Sequence, residues 1–399
     1  MADPSAPVAY NVFMDSRTRL FLWPACLCLL VVAVYWRGQD RAGPEAISDL
    51  QFERLSLQLS EPPGYFDTDN LISNESSYQH VIPALRVLTQ PGGAYLGVGP
   101  DQNYTYIAHV RPGIAFIVDI RRDNVLLHLF FKQLLENSLT RQEFLARLLG
   151  RPLSGDSTAG DADVFDLTGY FRKTPGKRAY FEEVFQETWR GVRRRFPGLV
   201  TEADYPTLSA MAEAFFQEGL DLRFRSHWRS PRAIYPSLYE LLTATDLMGT
   251  PRSYLASEDD FEYVRSLHLQ NRIVPITGDL SGEKALPSLA EYLRGHSIVV
   301  STLYASNVEF YLLRDGTFSN FVRNLRLLPL DSHGVIIRSY FDYWRQPHPE
   351  QLPGHYVTSL LQGLEEFVES HSRQPYRDYR DVAFRDYYSN RNYQSVGTP

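Results

Sequence analysis

Two glycines and an aspartate stand at a spacing that suits nucleoside binding. Gly97 and Gly99 follow a short apolar run, and Asp119 ends the next apolar run, twenty residues after Gly99. Glycines after a strand let the backbone turn sharply and let a ligand approach where a Cβ would obstruct it. A carboxylate at the end of the next strand can accept hydrogen bonds from both ribose hydroxyls. We therefore expect a nucleoside-containing cofactor at this turn.

The residues that follow the turn favour S-adenosylmethionine as that cofactor. Gln102 stands where dinucleotide-binding turns carry a third glycine, and Asp101 falls in the first turn of the next helix. A carboxylate is unfavourable beside a pyrophosphate, but it would attract the ammonium and sulfonium of S-adenosylmethionine. Arg121 and Arg122 follow the acidic strand end and could bind a 2′-phosphate, so NADP stays as the alternative. Asn103 completes the expected cofactor-binding set on this helix.

A polar and aromatic segment, residues 64–75, precedes the glycine turn by one apolar helix. Capping of that helix by Ser73 or Asn74 is one interpretation, but capping needs a single such residue. The segment holds more carboxylates and amides than that, so we predict that it closes over the cofactor. Its candidate substrate or lid residues are Asp67, Asp69, Asn70, Asn74 and Glu75.

The candidate catalytic residues follow the fourth predicted strand, in the sequence SNVEFYL. This position is the edge at which open α/β sheets bind ligands. Glu309 or Tyr311 could act as a general base, and Asn307 could contact substrate. Alternatively, Phe310 and Leu312 pack inward while Glu309 is solvated. The histidines show no metal-ligand spacing, so no metal is predicted.

Five short apolar runs alternate with helical segments and predict the strands that position these residues. The runs are 94–98, 114–118, 273–276, 297–303 and 335–339. Such alternation predicts an α/β fold with a doubly wound, mostly parallel sheet. A large helical insertion, at about 125–255, separates the second and third strands, and an amphipathic helix is expected at about 356–370. Pro275 places the third strand at an edge of the sheet.

Residues 20–36 form an uncharged apolar run of 17 residues, the lower limit for a helix that spans a bilayer. Aromatic residues near its ends suit the membrane interface. No small-residue cleavage site follows, so we predict an N-terminal transmembrane helix rather than a signal peptide. Arginines flank both ends, which leaves the orientation open. The globular part would be cytoplasmic if the cofactor prediction holds.

The chain is therefore divided into a tail (1–19), the anchor (20–36), a juncture (37–47), an α/β domain (48–372) and a mobile tail (373–399). A net charge of −7 gives no reason to expect nucleic acid as a partner. Cys26 and Cys28 are the only cysteines, and both lie in the anchor. The α/β domain therefore has no disulfide, zinc–thiolate site or cysteine nucleophile.

Residues 93–124 and 272–340 resemble the Rossmann-like core of class I S-adenosylmethionine-dependent methyltransferases. The blocks GVGPDQN, VDIRRDN and SNVEFYL also resemble an uncharacterised bacterial protein family. The methyltransferase resemblance implies that Gly97 and Gly99 contact the methionine portion of the cofactor. It also implies that Asp119 binds the ribose, that Asp279 binds the adenine amino group, and that Ser301 to Asn307 face the methyl-transfer site.

The chain departs from the methyltransferase pattern at Tyr95, where an acid usually stands, and it lacks an Asn-Pro-Pro-Tyr-type motif. The sequence thus predicts a membrane-anchored protein that binds S-adenosylmethionine, with methyl transfer to an unknown substrate as its activity. A non-catalytic nucleoside-binding or scaffold module on the same fold is the alternative. An NADP-dependent oxidoreductase is the second alternative.

Overall fold

The computed structural model describes residues 46–154, 162–226, 235–342 and 346–394. The predicted tail 1–19, the predicted anchor 20–36 and most of the juncture lie outside the described residues. Among the described residues, no helix is both long enough and apolar enough to cross a membrane.

A six-stranded sheet forms the centre of the α/β domain, in the order β3-β2-β1-β4-β5-β6. The strands are β1 (Ala94–Gly97), β2 (Ile114–Asp119), β3 (Ile273–Thr277), β4 (Val300–Ser306), β5 (Leu330–Phe341) and β6 (Val357–Gly363). The first five pair in parallel, and β6 pairs antiparallel with β5. The predicted α/β class and mostly parallel sheet are confirmed. The strand order reverses between β1 and β4, which makes their carboxyl ends the switch point of the sheet.

Helices cover the sheet and fill the connections between its strands. Before β2 these are α1 (Asp49–Leu59), α2 (Ile82–Leu88) and α3 (Gln102–Val110). Between β2 and β3 lie α4 (Arg122–Glu136), α5 (Arg141–Leu148), α6 (Val164–Lys173), α7 (Arg178–Arg195), α8 (Tyr205–Glu218), α9 (Leu238–Leu242) and α10 (Glu258–Leu269). After β3 come α11 (Ala285–Gly295), α12 (Val308–Arg314), α13 (Phe318–Leu327), α14 (Leu364–Arg373) and α15 (Tyr379–Phe384).

Strands β1, β2 and β3 form where the sequence is mostly apolar. Every residue of β1, β2 and β3 is buried, because helices cover both faces of a parallel sheet. Pro275 lies on β3 and pairs with Ile117 of β2. Strand β3 is at an edge of the sheet, as predicted. A proline is tolerated there because its missing N–H would face away from the sheet.

The C-terminal part of the chain differs from the prediction in two places. The helix expected at about 356–370 is β6 followed by α14. The segment expected to be a mobile tail instead packs against the sheet over its described residues, up to 394. Tyr379 donates a hydrogen bond to Ser339 O, Tyr388 N donates to Leu361 O over 2.7 Å, and Val382 is fully buried. The sequence of this segment places tyrosines among charged residues. Their rings can be buried although their spacing matches neither the period of a helix nor that of a strand.

Candidate functional site

Residues 60–77, which we call the strap, cross the carboxyl ends of the strands. Glu61 N donates to Thr277 O of β3 over 2.9 Å, and Gly64 N donates to Ile120 O, just after β2, over 2.8 Å. Farther along, Glu75 contacts side chains of β4 and β5. The structure therefore brings the predicted lid residues to the same edge as the glycine turn. Their role in ligand binding stays a prediction.

Glu75 is the centre of a buried polar cluster beneath the strap. Only 1% of Glu75 is exposed, and its carboxylate accepts hydrogen bonds from four side chains. The donors are Gln102 Nε2 (2.9 Å), Tyr304 OH (2.9 Å), Ser306 Oγ and Ser339 Oγ. Tyr304 and Ser306 lie within the range Ser301 to Asn307 that the methyltransferase resemblance implied for the methyl-transfer site, whereas Ser339 was not predicted as a site residue. Tyr304 and Ser306 alternate on β4, and alternate residues of a strand share one face, whereas Ser339 lies on the neighbouring β5.

The space beside Gly97 is filled by the protein itself. A Cβ at Gly97 would lie 1.9 Å from Asn103 Oδ1 and 2.7 Å from the Tyr95 ring. Asn103 Nδ2 donates to Val98 O (2.9 Å) and Pro100 O (2.7 Å), and its Oδ1 accepts from Tyr95 OH (2.8 Å). Gly97 is thus required for packing, and Asn103 closes the turn from within. This arrangement also accounts for Tyr95, where the methyltransferase pattern has an acid.

Gly99 is the glycine whose conformation the turn requires. Its φ is +79°, in the left-handed region, where a side chain would be strained. An added Cβ would meet only Asn70 Nδ2 of the strap, at 3.4 Å. Gly99 and Asn70 therefore face each other across the junction of strap and turn.

Asp101 points its carboxylate away from the glycine turn, toward the helical insertion. Its carboxylate accepts a hydrogen bond from Tyr254 OH at 3.1 Å, and burial raises its pKa to about 6. The carboxylate is therefore turned toward a tyrosine of the helical insertion, away from the space above Gly99. The electrostatic reason for preferring S-adenosylmethionine on the basis of Asp101 does not hold in this structure.

We expect the stability of Asp101→Asn relative to that of the wild type to rise with pH. A carboxyl whose pKa is raised by folding contributes stability below its ordinary pKa and loses it as pH rises through the raised value. With the pKa of Asp101 at about 6, the difference between variant and wild type should grow by roughly 2–3 kcal/mol from about pH 4 to about pH 7. Urea unfolding across that range measures it. A constant difference would show that the pKa of Asp101 is not raised.

Asp119 and Arg121 join the end of β2 to the strap. The carboxylate of Asp119 accepts from Arg121 N at 2.9 Å, and Arg121 Nε lies 3.5 Å from it. Arg121 Nη1 donates to Thr68 O and Asp69 O, both at 3.0 Å. Burial raises the pKa of Asp119, and Arg121 opposes that change. The end of β2 therefore carries a buried carboxylate with a guanidinium beside it, and the predicted ribose contact of Asp119 stays a prediction.

Several buried polar atoms under the strap have no hydrogen-bond partner among the described residues. They are Thr68 Oγ1, Gln102 Oε1, Arg121 Nη2, Asn124 Nδ2 and Asn124 Oδ1. An unsatisfied buried polar group costs about 1–3 kcal/mol, so groups of this kind call for an explanation. These come from the strap, the glycine turn and the β2–α4 junction, which meet at the carboxyl edge. Thr68 and Asn124 had not been predicted as site residues.

The remaining predicted lid residues make contacts of their own. Ser226 Oγ donates to Asp67 O at 2.8 Å, Arg225 N donates to Asp69 Oδ1 at 3.2 Å, and the carbonyl of Asn74 accepts from a tyrosine hydroxyl. Burial raises the pKa of Asp69. The capping interpretation does not hold, because neither α2 nor the 3-10 turn before it has a side-chain cap.

Two of the predicted cofactor residues lie away from this cluster or are already engaged. Ser301 is near the start of β4, and its Oγ donates to Ala94 O at 3.3 Å, at the amino end of β1. Asp279 follows β3, and its Oδ1 accepts from both Ser281 N and Ser281 Oγ at 2.8 Å. Ser301 is therefore at the opposite end of the strand from the predicted methyl-transfer site.

The predicted general base Glu309 is fully buried in an ion pair. Glu309 accepts from Arg338 Nε at 2.8 Å and from Arg338 Nη2 at 3.2 Å, and both side chains are 0% exposed. Both carboxylate oxygens are occupied and shielded from solvent, so Glu309 is not placed to accept a substrate proton. Tyr311 is partly exposed and packs edge-on against Phe66 of the strap, with ring centroids 4.9 Å apart. Asn307 lies beside Ser306 at the end of β4.

The comparisons with known proteins reach a family but no activity. No curated protein matches the chain. One family model matches residues 70–154 and 174–396, which include the last eight residues of the strap, the glycine turn and every strand of the sheet. The chain therefore belongs to the family described as a domain of unknown function, DUF7790.

Proposed function

We propose that this protein binds an adenosine-containing cofactor, S-adenosylmethionine foremost, between the strap and the glycine turn. The observation that carries the proposal is the group of unpartnered buried polar atoms on Thr68, Gln102, Arg121 and Asn124. They lie at the carboxyl edge near the switch point, where open α/β sheets bind ligands. A cofactor seated there would supply the missing hydrogen-bond partners and rest against Asp119.

The start of α3 favours a cofactor without a pyrophosphate. Helix N-termini bind phosphate through free backbone N–H groups. Here Asn103 N donates to Pro100 O at 3.3 Å, and Tyr104 N donates to Asp101 O at 2.8 Å. Gln102 also stands where a third glycine would be needed. This reasoning supports S-adenosylmethionine over NAD without any contribution from the carboxylate of Asp101.

NADP is the second candidate because of Arg121. Its unpartnered Nη2 is beside Asp119, where a 2′-phosphate of adenosine would lie. The neighbouring Arg122 is held by Asp204 and by Leu199 O (2.7 Å), so it does not share this role. An oxidoreductase would follow from NADP binding.

The activity that we propose with S-adenosylmethionine is methyl transfer. Alignment of a nucleophile with the sulfonium supplies most of the rate in such a reaction, so a dedicated general base is not required. Asn307 and Tyr311 are the candidates for substrate contact. Residues 20–36 would tether the domain to a bilayer on its cytoplasmic side. A non-catalytic sensor or scaffold on the same fold is the alternative.

Calorimetric titration of the full-length chain tests the proposal. S-adenosylmethionine, S-adenosylhomocysteine and NADPH are each added to the wild type, to Asp119→Ala and to Asp123→Ala. We expect micromolar binding of the adenosyl compounds and at least a roughly tenfold loss in Asp119→Ala, since a hydrogen bond to a charged group contributes about 1.5–3 kcal/mol. Asp123 is exposed on the same junction and should leave affinity unchanged.

A second variant tests the same site in case Asp119→Ala does not fold. Thr68→Val removes one unpartnered hydroxyl without altering charge, and should weaken binding while the protein stays folded. Binding of NADPH alone would favour the oxidoreductase. Failure of all three compounds to bind the folded wild type would overturn the cofactor proposal and favour a scaffold.

A further inference from the structure

A polar pocket lies at the edge of the sheet opposite the strap. It has a volume of about 380 Å³ and is formed where α2 and α3 end and α10 begins. Because α3 runs back from the carboxyl edge of β1, its end lies toward the amino edge of the sheet. The charged and imidazole groups of the pocket are Arg86, His109, Arg111, Arg252, Asp259 and Asp260. None of these residues belongs to the site under the strap.

Arg252 is held so that its guanidinium can bind an anion. Its Nε donates to Asp246 Oδ2 at 2.8 Å, and Asp246 is itself buried. Its carbonyl accepts a hydrogen bond from His109 Nε2 at 2.8 Å. The two terminal nitrogens of Arg252 make no hydrogen bond to any residue in the described part of the chain. A guanidinium fixed through Nε retains these N–H donors for a carboxylate or phosphate.

Arg86 adds a second guanidinium to the same pocket. It is exposed in the last turn of α2, and it forms no hydrogen bond or ion pair with a residue that the structure describes. Burial lowers the pKa of His109; the charge of Asp260 and the hydrogen bond to Arg252 O oppose this change, and the charges of Arg86 and Arg252 add to it. Arg86, His109 and Arg252 all line the pocket, and because His109 Nε2 donates to Arg252 O, its Nδ1 is left as an acceptor in the neutral ring.

The two acids of the pocket are turned to a different arginine. Asp259 and Asp260 both pair with Arg111, and Asp260 Oδ2 also accepts from Ser257 Oγ at 2.7 Å. Arg111 in turn stacks over Tyr263 at 4.4 Å from the ring centroid. Neither carboxylate forms an ion pair with Arg86 or Arg252.

We propose that this pocket binds a small organic anion, whose phosphate or carboxylate group lies between Arg86 and Arg252. The volume falls within the range of small-molecule sites and exceeds the size of inorganic phosphate. His109 Nδ1 would accept a hydrogen bond from a hydroxyl or amide of the same molecule. The site is independent of the cofactor proposed under the strap.

Titration calorimetry of the full-length chain with phenyl phosphate, benzoate and benzyl alcohol tests this proposal. We expect one of the two anions to bind and the neutral alcohol not to bind; the preferred anion separates a phosphate from a carboxylate ligand. Arg86→Ala should weaken binding roughly tenfold or more, as expected for lost charge-assisted hydrogen bonds. Arg252→Lys keeps the positive charge but loses the paired N–H donors of the guanidinium, so it should also weaken binding.

Arg54→Ala is the matched control, because Arg54 is an exposed helical arginine on α1 with no ion pair to a described residue. Its affinity for the anion should equal that of the wild type. Absence of binding by both anions would overturn the proposal, as would equal binding by wild type and Arg86→Ala. Arg86 has no described partner to lose, so its substitution should leave the fold intact.

Discussion

Replacing Arg338 by methionine should lower the free energy of unfolding by about 3–5 kcal/mol. Arg338 and Glu309 are both 0% exposed and form a two-pronged ion pair. Arg338 also donates to Gln362 Oε1 at 2.8 Å and lies over the ring of Phe367. Removing the guanidinium leaves a carboxyl group buried between β5 and α12 without its partner. Urea unfolding of the wild type and variant measures the loss.

The double variant Glu309→Leu with Arg338→Met separates the cost of an unpaired charge from that of lost packing. Replacing both members of a buried pair by apolar residues is often close to neutral, so we expect the double variant to recover most of the stability. Arg314→Ala removes an arginine from an exposed pair with Asp315 and should change stability by less than about 1 kcal/mol. An Arg338→Met variant as stable as Arg314→Ala would contradict the burial of this pair.

Replacing Glu75 by alanine should lower the free energy of unfolding by about 3 kcal/mol and loosen the strap. Four side-chain donors converge on this carboxylate, and hydrogen bonds to charged groups contribute about 1.5–3 kcal/mol each, with partial recovery by rearranged hydroxyls. The strap would lose its attachment to β4 and β5. We therefore expect faster hydrogen exchange and faster proteolysis within residues 60–77.

Two variants test whether the effect comes from this cluster. Glu75→Gln retains one carbonyl acceptor, so its free energy of unfolding should lie between those of Glu75→Ala and the wild type. Glu283→Ala changes an exposed glutamate after β3, near the same edge, and should alter neither stability nor exchange in the strap. If hydrogen exchange in the strap were unchanged in Glu75→Ala, the other contacts of the strap would be sufficient to hold it in place. The hydrogen bond from Arg121 to Thr68 O is one such contact.

The amphipathic segment before the C-terminus shows where sequence reasoning on the strands was limited. Val357, Leu360, Leu361 and Leu364 have helical spacing, yet the first three lie in β6. A short apolar run does not distinguish a strand from a helix, because the choice depends on whether another strand is available for pairing. Here β5 extends to Phe341 and supplies that partner over seven residues.

The sequence by itself determined the parallel part of the sheet and the position of the glycine turn. Buried parallel strands are continuous apolar runs, and a turn that needs a positive φ requires a residue such as Gly99. These features depend on neighbours along the chain, so they can be predicted from it. The placement of Pro275 at an edge is local in the same sense, because it follows from one missing N–H.

Only the tertiary structure decided which polar groups meet. Glu75 and Ser339 are 264 residues apart in sequence, and the pairing of Glu309 with Arg338 depends on how α12 packs against β5. Asn103 occupies the space beside Gly97, and Asp101 turns to Tyr254 across the helical insertion. A side chain that is titratable in the sequence becomes a base, a cap or a buried partner only through such distant contacts, because burial and hydrogen bonding set its chemistry.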